Sequence, residues 1–282
     1  MNDAKELISC CWDSFEEMKK FYQQHRESCT GFNFSYSPKK SWEAMPNVLL
    51  LTYHPQPHRN ESPENPQRTP PCPWPEPPEP NDFFNPSRWE GLLFPERILT
   101  IAAEIASCKD GINYTASMDN KTLEKFVDTN MVLASFVPFR TANPRQKDLV
   151  EFSKEQYWGE IWRLWQPGLI IATGDYPFDG TERVLRQLGW DVRVLTESPT
   201  WKFGTRKNKA TPLSKGRYKI HVCTDASSGK NIYLLSVPSP SAEKLMRANC
   251  GYPDAELYVP NKAPIQDFIG NALYYIEMQR HQ

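Results

Sequence analysis

The stretch "VLLLTYHPQPH" (residues 48–58) indicates the fold class, because a continuous apolar run ends there in a stiff polar loop. An unbroken run of aliphatic side chains is typical of a strand buried on both faces, as in a parallel sheet covered by helices. Ligands of such sheets bind beyond the carboxyl ends of the strands. The histidines and prolines after Tyr53 therefore lie where an α/β protein carries its chemistry, although an ordinary strand end with a proline turn gives the same pattern.

The composition favours a single, reduced domain. The chain has 282 residues, and we expect one domain over residues 1–282. The net charge is −1, so a nucleic acid would have to bind to a local basic patch. Seven cysteines without a CxxC pair predict a cytoplasmic protein without a metal, an iron–sulfur cluster or another cofactor. Apolar runs are too short for a membrane span, and we expect a monomer.

Strand and helix patterns alternate along the chain. Apolar runs predict strands at 47–53, 130–139, 168–174 and 231–237, and two weaker patterns at 191–197 and 218–224 could be further strands. Helical spacing predicts helices at 3–25, 95–107, 143–166, 181–189 and 264–280. We therefore predict an α/β fold, a three-layer α/β/α sandwich with a central, mostly parallel sheet.

A proline-rich segment follows the first strand. Residues 55–86 hold 12 of the 26 prolines, which excludes a helix or a central strand. The segment could be disordered, but it also contains Trp74, Phe83 and Phe84. Aromatic side chains in such a segment usually pack, so we predict an ordered flap over the end of the strand at 47–53.

Three motifs between residues 48 and 241 resemble the uracil-DNA glycosylase superfamily. "VLLLTYHPQPH" resembles its first motif, a strand that runs into Gly-x-Asp/Asn/Ala-Pro. "SFVPFRTANPRQKDLVEFSKEQYWGEIWRLWQPGLIIATG" (135–174) resembles its middle section, and "LLSVPSPS" (234–241) resembles its last motif, His-Pro-Ser-Pro. The resemblance implies a uracil-DNA glycosylase-like fold and an enzyme that flips a base out of DNA and excises it.

The sequence departs from that superfamily at the positions that carry its chemistry. His54 stands at the catalytic Asp or Asn, and Ser135 stands at the base-reading Asn of the middle strand, since Asn130 lies too far upstream. Val237 replaces the histidine of the last motif, and Phe139 replaces a cysteine of the iron–sulfur branch. Either the protein excises a base other than uracil, or it is an inactive DNA-binding module. An unrelated α/β enzyme is a third reading, although no glycine-rich phosphate loop supports it.

The resemblance and the chemistry of base excision together suggest the site residues. A flipped base stacks on an aromatic ring, and cleavage needs one group on the water and one on the departing base. The catalytic candidates are His54, Asp82 and Asn85, with Asp175 next in line. The base-binding candidates are Tyr53, Phe83, Phe84 and Ser135. A serine at 135 loses the amide that reads uracil and makes room, which favours a modified pyrimidine such as hydroxymethylcytosine or its glucosylated form in phage DNA. A role in antiviral defence would follow.

DNA contacts need local positive charge. Residues 201–219, "WKFGTRKNKATPLSKGRYK", contain seven Lys and Arg and no acidic residue. Such a segment suits a loop or hairpin that follows phosphates, although a solvated basic loop is the plain alternative. The DNA-binding candidates are Arg140, Arg145, Lys207, Lys209, Lys215, Ser239 and Ser241.

Overall fold

The computed structural model describes residues 2–26, 29–53, 70–75, 81–84, 94–110, 120–141, 157–195, 202–205, 209–212, 219–237 and 264–280. The helices are α1 (Asn2–Gln24), α2 (Lys39–Glu43), α3 (Phe94–Asp110), α4 (Asn120–Asn130), α5 (Gly159–Leu164), α6 (Asp175–Gln187) and α7 (Pro264–Arg280), with a 3-10 turn at Asp82–Phe84. The strands are β1 (Cys29–Thr30), β2 (Val48–Thr52), β3 (Met131–Ser135), β4 (Arg140–Thr141), β5 (Leu169–Thr173), β6 (Trp190–Val194), β7 (Lys202–Thr205), β8 (Lys209–Pro212), β9 (Lys219–Asp225) and β10 (Asn231–Val237).

A six-stranded mixed sheet forms the centre of the fold, which confirms the α/β class. Its strand order is β3-β2-β5-β10-β9-β6. The first four strands in this order are parallel to one another, whereas β9 is antiparallel to both β10 and β6. The sheet is thus mostly parallel, and the reversed direction of β9 was not predicted from the sequence.

Alternate side chains of the central strands enter two separate apolar clusters. Val48 and Leu50 of β2 pack with side chains of α3, α4 and α7, whereas Leu49 and Leu51 pack with side chains of α1, α5 and α6. This alternation follows from the period of two along a strand. All four side chains are at most 3% exposed, and each buried leucine contributes about 1.5–3 kcal/mol relative to an exposed one.

The start of β5 is fixed by a close contact with the residue before β2. Gly168 N donates to Asn47 Oδ1 at 2.8 Å, and Leu169 N donates to Asn47 O at 3.0 Å. A Cβ at position 168 would lie 2.6 Å from the same Oδ1. Glycine therefore allows β5 to lie against β2 in this register.

The outer edge of β3 is covered by residues 33–37. Tyr36 N donates to Leu133 O at 3.0 Å, and Leu133 N donates to Ser37 Oγ at 2.9 Å. Trp42 Nε1 donates to Ser35 Oγ at 2.8 Å, which holds the covering segment in place. This cover satisfies backbone groups that an open edge strand would expose.

Most predicted elements agree with the structure, but α2, α4, β1 and β4 were not predicted. Asn130 ends α4 rather than beginning a strand, because its Nδ2 donates to Phe126 O at 3.0 Å. The helix predicted at 181–189 begins earlier, at Asp175. Of the helix predicted at 143–166, α5 covers Gly159–Leu164, and residues 143–156 lie outside the described residues.

The described parts of the proline-rich segment pack against the protein. Cys72 and Trp74 are buried, and the Trp74 ring meets the Trp12 ring of α1 at 5.6 Å between centroids. The other positions of the predicted flap, 55–69, 76–80 and 85–86, lie outside the described residues. Within the described ranges, no helix combines the length and the apolar character needed to cross a membrane.

Candidate functional site

The carboxyl ends of four parallel strands meet at one edge of the sheet. The strand β3 lies on one side of β2, and the next strand of the sheet, β5, lies on the other side of β2. The direction in which strands are added therefore reverses between β2 and β5. Phe136 N donates to Thr52 O at 2.7 Å, and Gly174 N donates to Val237 O at 2.7 Å. Ligands of open α/β sheets bind in the crevice at such a reversal point, which makes this edge the candidate site.

Ser135 ends β3 beneath a tyrosine hydroxyl. Ser135 Oγ donates to Tyr36 Oη at 3.1 Å, and Thr52 Oγ1 lies 3.5 Å from the same Oγ. All three side chains are at most 1% exposed. The Tyr36 hydroxyl therefore contacts the small side chain at 135.

Asp82 is a buried carboxylate beside the same tyrosine. It is 3% exposed, its Oδ2 accepts a hydrogen bond from Asn33 Nδ2 at 3.0 Å, and its backbone N–H donates to Tyr36 O at 2.9 Å. The ring of the next residue, Phe83, packs against the Tyr36 ring at 4.3 Å between centroids. Tyr36 thus contacts both the carboxylate residue of the flap and the serine at the end of β3.

A second buried carboxylate lies away from this edge, in the last turn of α4 near the amino-terminal end of β3. Asp128 is 8% exposed, and its Oδ2 lies 2.7 Å from Lys40 Nζ. Asn81 Nδ2 lies 3.5 Å from Asp128 Oδ1. Burial raises the pKa of Glu124, one turn earlier in α4, and the Asp128 carboxylate raises it further while Lys40 lowers it. Lys40, Glu124 and Asp128 border an open cavity of about 380 Å³.

Two tyrosine rings stack where β2 and β5 end. The rings of Tyr53 and Tyr176 lie 4.9 Å apart between centroids with an interplanar angle of 14°. Tyr53 follows β2, and Tyr176 lies in the first turn of α6, directly after β5. Burial raises the pKa of the Tyr53 phenol, and Tyr176 adds to that rise. Gly174 makes the turn between β5 and α6 with a positive φ of 106°, which glycine adopts without steric cost.

Charged groups of α6 and β9 extend this edge. Lys219 Nζ lies 3.7 Å from Oδ1 of both Asp175 and Asp179. His221 Nδ1 lies 2.7 Å from Glu182 Oε2. Burial lowers the pKa of His221, although the Glu182 carboxylate opposes that change.

The basic segment returns to the sheet at this edge. Strands β7 and β8, within residues 201–219, form an antiparallel hairpin. The chain then enters β9 at Lys219, which pairs with Ser236 near the carboxyl end of β10. The segment therefore ends beside the candidate site.

The structure brings some of the predicted residues together. Asp82, Phe83 and Ser135 surround Tyr36, Phe84 packs half-buried on the neighbouring cluster, and Tyr53 lies at the end of β2. Arg140 is exposed in β4, paired with Thr30 of β1, and Lys209 begins β8, where only the backbone is described. The remaining candidates lie outside the described residues: His54, Asn85, Arg145, Lys207, Lys215, Ser239 and Ser241.

Sequence reasoning missed Asn33, Tyr36 and Tyr176. Tyr36 and Ser135 are 99 residues apart, so no local pattern links them. Tyr176 carried a visible signal, because it follows the strand end "LIIATGD" at the edge where ligands are expected.

The described side chains offer acid–base and stacking groups rather than a metal centre. Among them, no group of three or more His, Cys, Asp or Glu is placed to hold a metal ion. No model of a protein family matches the chain, and no curated protein matches its sequence.

Proposed function

We propose that this protein is a DNA glycosylase with a three-layer α/β/α fold of the uracil-DNA glycosylase type. In this proposal it flips a modified pyrimidine out of DNA and excises it, leaving an abasic site. The observation that carries the proposal is the link through Tyr36. Sequence motifs suggested Asp82 and Ser135 separately, and one residue contacts both, through its backbone carbonyl and its hydroxyl.

The chemistry assigns one group to the water and one to the base. His54, which follows the strand of the first motif, takes a proton from the water that attacks C1′ of the sugar. The N-glycosidic bond breaks, its electron pair goes to the base, and Asp82, which this step requires to have taken up a proton in the complex with DNA, supplies that proton to the departing nitrogen. A positioned acid or base typically contributes about 10²–10⁴-fold to such a step.

Loss of the base-reading amide supports a substrate other than uracil. A site that recognises a base edge through hydrogen bonds rejects a base that leaves those groups unpaired. Since the Tyr36 hydroxyl contacts Ser135 Oγ, the proposal rests on this changed hydrogen bonding and not on added room. Hydroxymethylcytosine and its glucosylated form are the substrates to test first, and antiviral defence or DNA repair is the proposed role of a cytoplasmic monomer.

The alternative is a catalytically inactive DNA-binding module, and one observation favours it. Asp82, Phe83 and Ser135 are at most 4% exposed, which suits residues that stabilise the fold. In this alternative the protein keeps the basic hairpin segment and binds DNA without cleaving it.

Formation of abasic sites on a panel of DNAs separates the two. Oligonucleotides that contain uracil, hydroxymethylcytosine, glucosylated hydroxymethylcytosine or only ordinary bases are incubated with excess protein, and abasic sites are cleaved with alkali. We expect cleavage of a modified-cytosine substrate and little or none of the uracil substrate. DNA binding without cleavage on every substrate would favour the inactive module, and efficient uracil excision would contradict the proposed specificity.

A further inference from the structure

The stacked tyrosines at the candidate site leave one aromatic face available. Tyr53 is half-buried, whereas Tyr176 is 56% exposed. Their rings are close to parallel, at 14°. A third planar ring can extend such a stack on the exposed side of Tyr176, and every nucleobase has a flat face that stacks on aromatic side chains.

Phe83 is less suited to this task than the sequence suggests. It is 4% exposed, and its ring contacts those of Tyr36 and Phe94 at 4.3 and 5.8 Å between centroids. A base could stack on Phe83 only after these side chains moved. Tyr176 needs no such rearrangement.

The charges around Tyr176 are compatible with DNA. Asp175 and Asp179 share its helix turn and would repel phosphate, but Lys219 Nζ lies 3.7 Å from a carboxylate oxygen of each and offsets part of their charge. Lys219 is also the last residue of the basic segment 201–219. The basic segment therefore ends beside the stacked rings, and the positive charge for the DNA backbone has to come from its other Lys and Arg residues.

We propose that Tyr53 and Tyr176 form a stacking platform for an unpaired base of single-stranded DNA. Tyr53 holds the inner position, and Tyr176 presents the face that contacts the base. Because both faces of a base in a duplex are covered by its neighbours, the platform favours single strands or bases already out of the stack. This inference rests on the proposed function, since it names where that function binds DNA.

Binding to oligonucleotides with and without bases tests the platform. Fluorescence anisotropy measures the affinity for oligothymidylate and for an abasic oligonucleotide of the same length and charge. We expect Tyr176→Ala to weaken binding of oligothymidylate about tenfold, as for the loss of one base–aromatic stack, and to leave binding of the abasic strand unchanged. Tyr176→Phe should retain wild-type affinity for both.

Tyr274 provides the matched control, because it is 70% exposed on α7. Tyr274→Ala should bind both oligonucleotides as the wild type does. Unchanged affinity of Tyr176→Ala for oligothymidylate, or an equal loss on both strands, would overturn the platform.

Abasic-site formation measured on the same variants distinguishes this inference from the proposed function. If the wild type excises a base and Tyr176→Ala binds normally, the platform is wrong and the function stands. If the wild type stacks a base on Tyr176 and excises none, the glycosylase proposal fails and the platform stands. Failure of the wild type to bind any DNA would overturn both.

Discussion

Asp82 and Asp128 are two buried carboxylates, and only Asp82 precedes the ring that packs on Tyr36. Both contact an asparagine amide, from Asn33 and Asn81 respectively. We predict that Asp82→Asn lowers the rate of abasic-site formation by about 10²-fold or more, the usual effect of losing acid–base help. Asp128→Asn is the matched variant, and it should leave that rate unchanged.

The two substitutions should destabilise the fold by similar amounts. A hydrogen bond to a charged group contributes about 1.5–3 kcal/mol and a neutral one about 0.5–1.5 kcal/mol, so an amide oxygen in place of either carboxylate oxygen loses about 1 kcal/mol. Asp128→Asn also removes the ion pair with Lys40, but Lys40 is 68% exposed, so this adds less than about 1 kcal/mol. The free energy of unfolding of each variant should therefore fall by about 1–2 kcal/mol, and each kcal/mol corresponds to about 2–4 °C in Tm.

Single-turnover kinetics with excess enzyme measure the rate, and urea unfolding measures the stability of both variants. If Asp82 is catalytic, Asp82→Asn should be slow and Asp128→Asn should retain the wild-type rate, although the two variants have similar stability. If Asp82→Asn retains the wild-type rate, or if both rates fall together with stability, Asp82 has a structural role and the reasoning is refuted.

Three further predictions concern His221, the start of β5 and the basic segment. Burial lowers the pKa of His221, so the folded state binds a proton on this imidazole less tightly than the unfolded chain does, and the stability of the fold falls as the pH drops below about 6.5. The variant His221→Gln should therefore lose less Tm than the wild type between about pH 7 and pH 5. An unchanged dependence of Tm on pH would contradict this prediction. Gly168→Ala should lower the free energy of unfolding by about 1 kcal/mol, because the added Cβ displaces the Asn47 amide and breaks its hydrogen bond. Urea unfolding should show a smaller loss when Gly168→Ala is made in a protein that already carries Asn47→Ala. An equal loss with and without Asn47→Ala would reject this cause. The third prediction is to neutralise Lys207, Lys209 and Lys215 of the basic segment together. This change should weaken DNA binding across sequences and flatten its salt dependence by up to about one unit of slope per phosphate contact. An unchanged slope would identify the segment as a solvated loop.

The central strands could be predicted because their signal is local. Strands β2, β3, β5 and β10 are continuous apolar runs, and the structure confirms all four. Helix α4 also carried a readable signal, since Leu123, Phe126 and Val127 have helical spacing and are buried. The reversed direction of β9 was readable too, because residues 226–230 are too few for the crossover of a dozen or more residues that a parallel connection needs.

The network around Tyr36 could not be predicted in the same way. Its hydrogen bonds join residues 33–37 to the flap and to β3, and the partners are 49 residues apart for Asn33 and Asp82 and 99 for Tyr36 and Ser135. Neither hydrophobic period nor turn chemistry encodes such contacts, because they arise only when the sheet is complete. Motif reasoning therefore suggested individual side chains of the candidate site, but not the residue that connects them.

The antiparallel pairing of β6 with β9 has a consequence for how this protein could change over evolution. Leu195 N donates to Ile220 O at 3.0 Å, so the chain leaves and re-enters the sheet at neighbouring positions, and the intervening basic segment behaves as an insertion in a hairpin. Closing such a loop costs only about 0.6 kcal/mol more for each doubling of its length. The segment can lengthen, shorten or acquire new charges while the sheet keeps its register, so the surface at this edge can diverge without changes to the core.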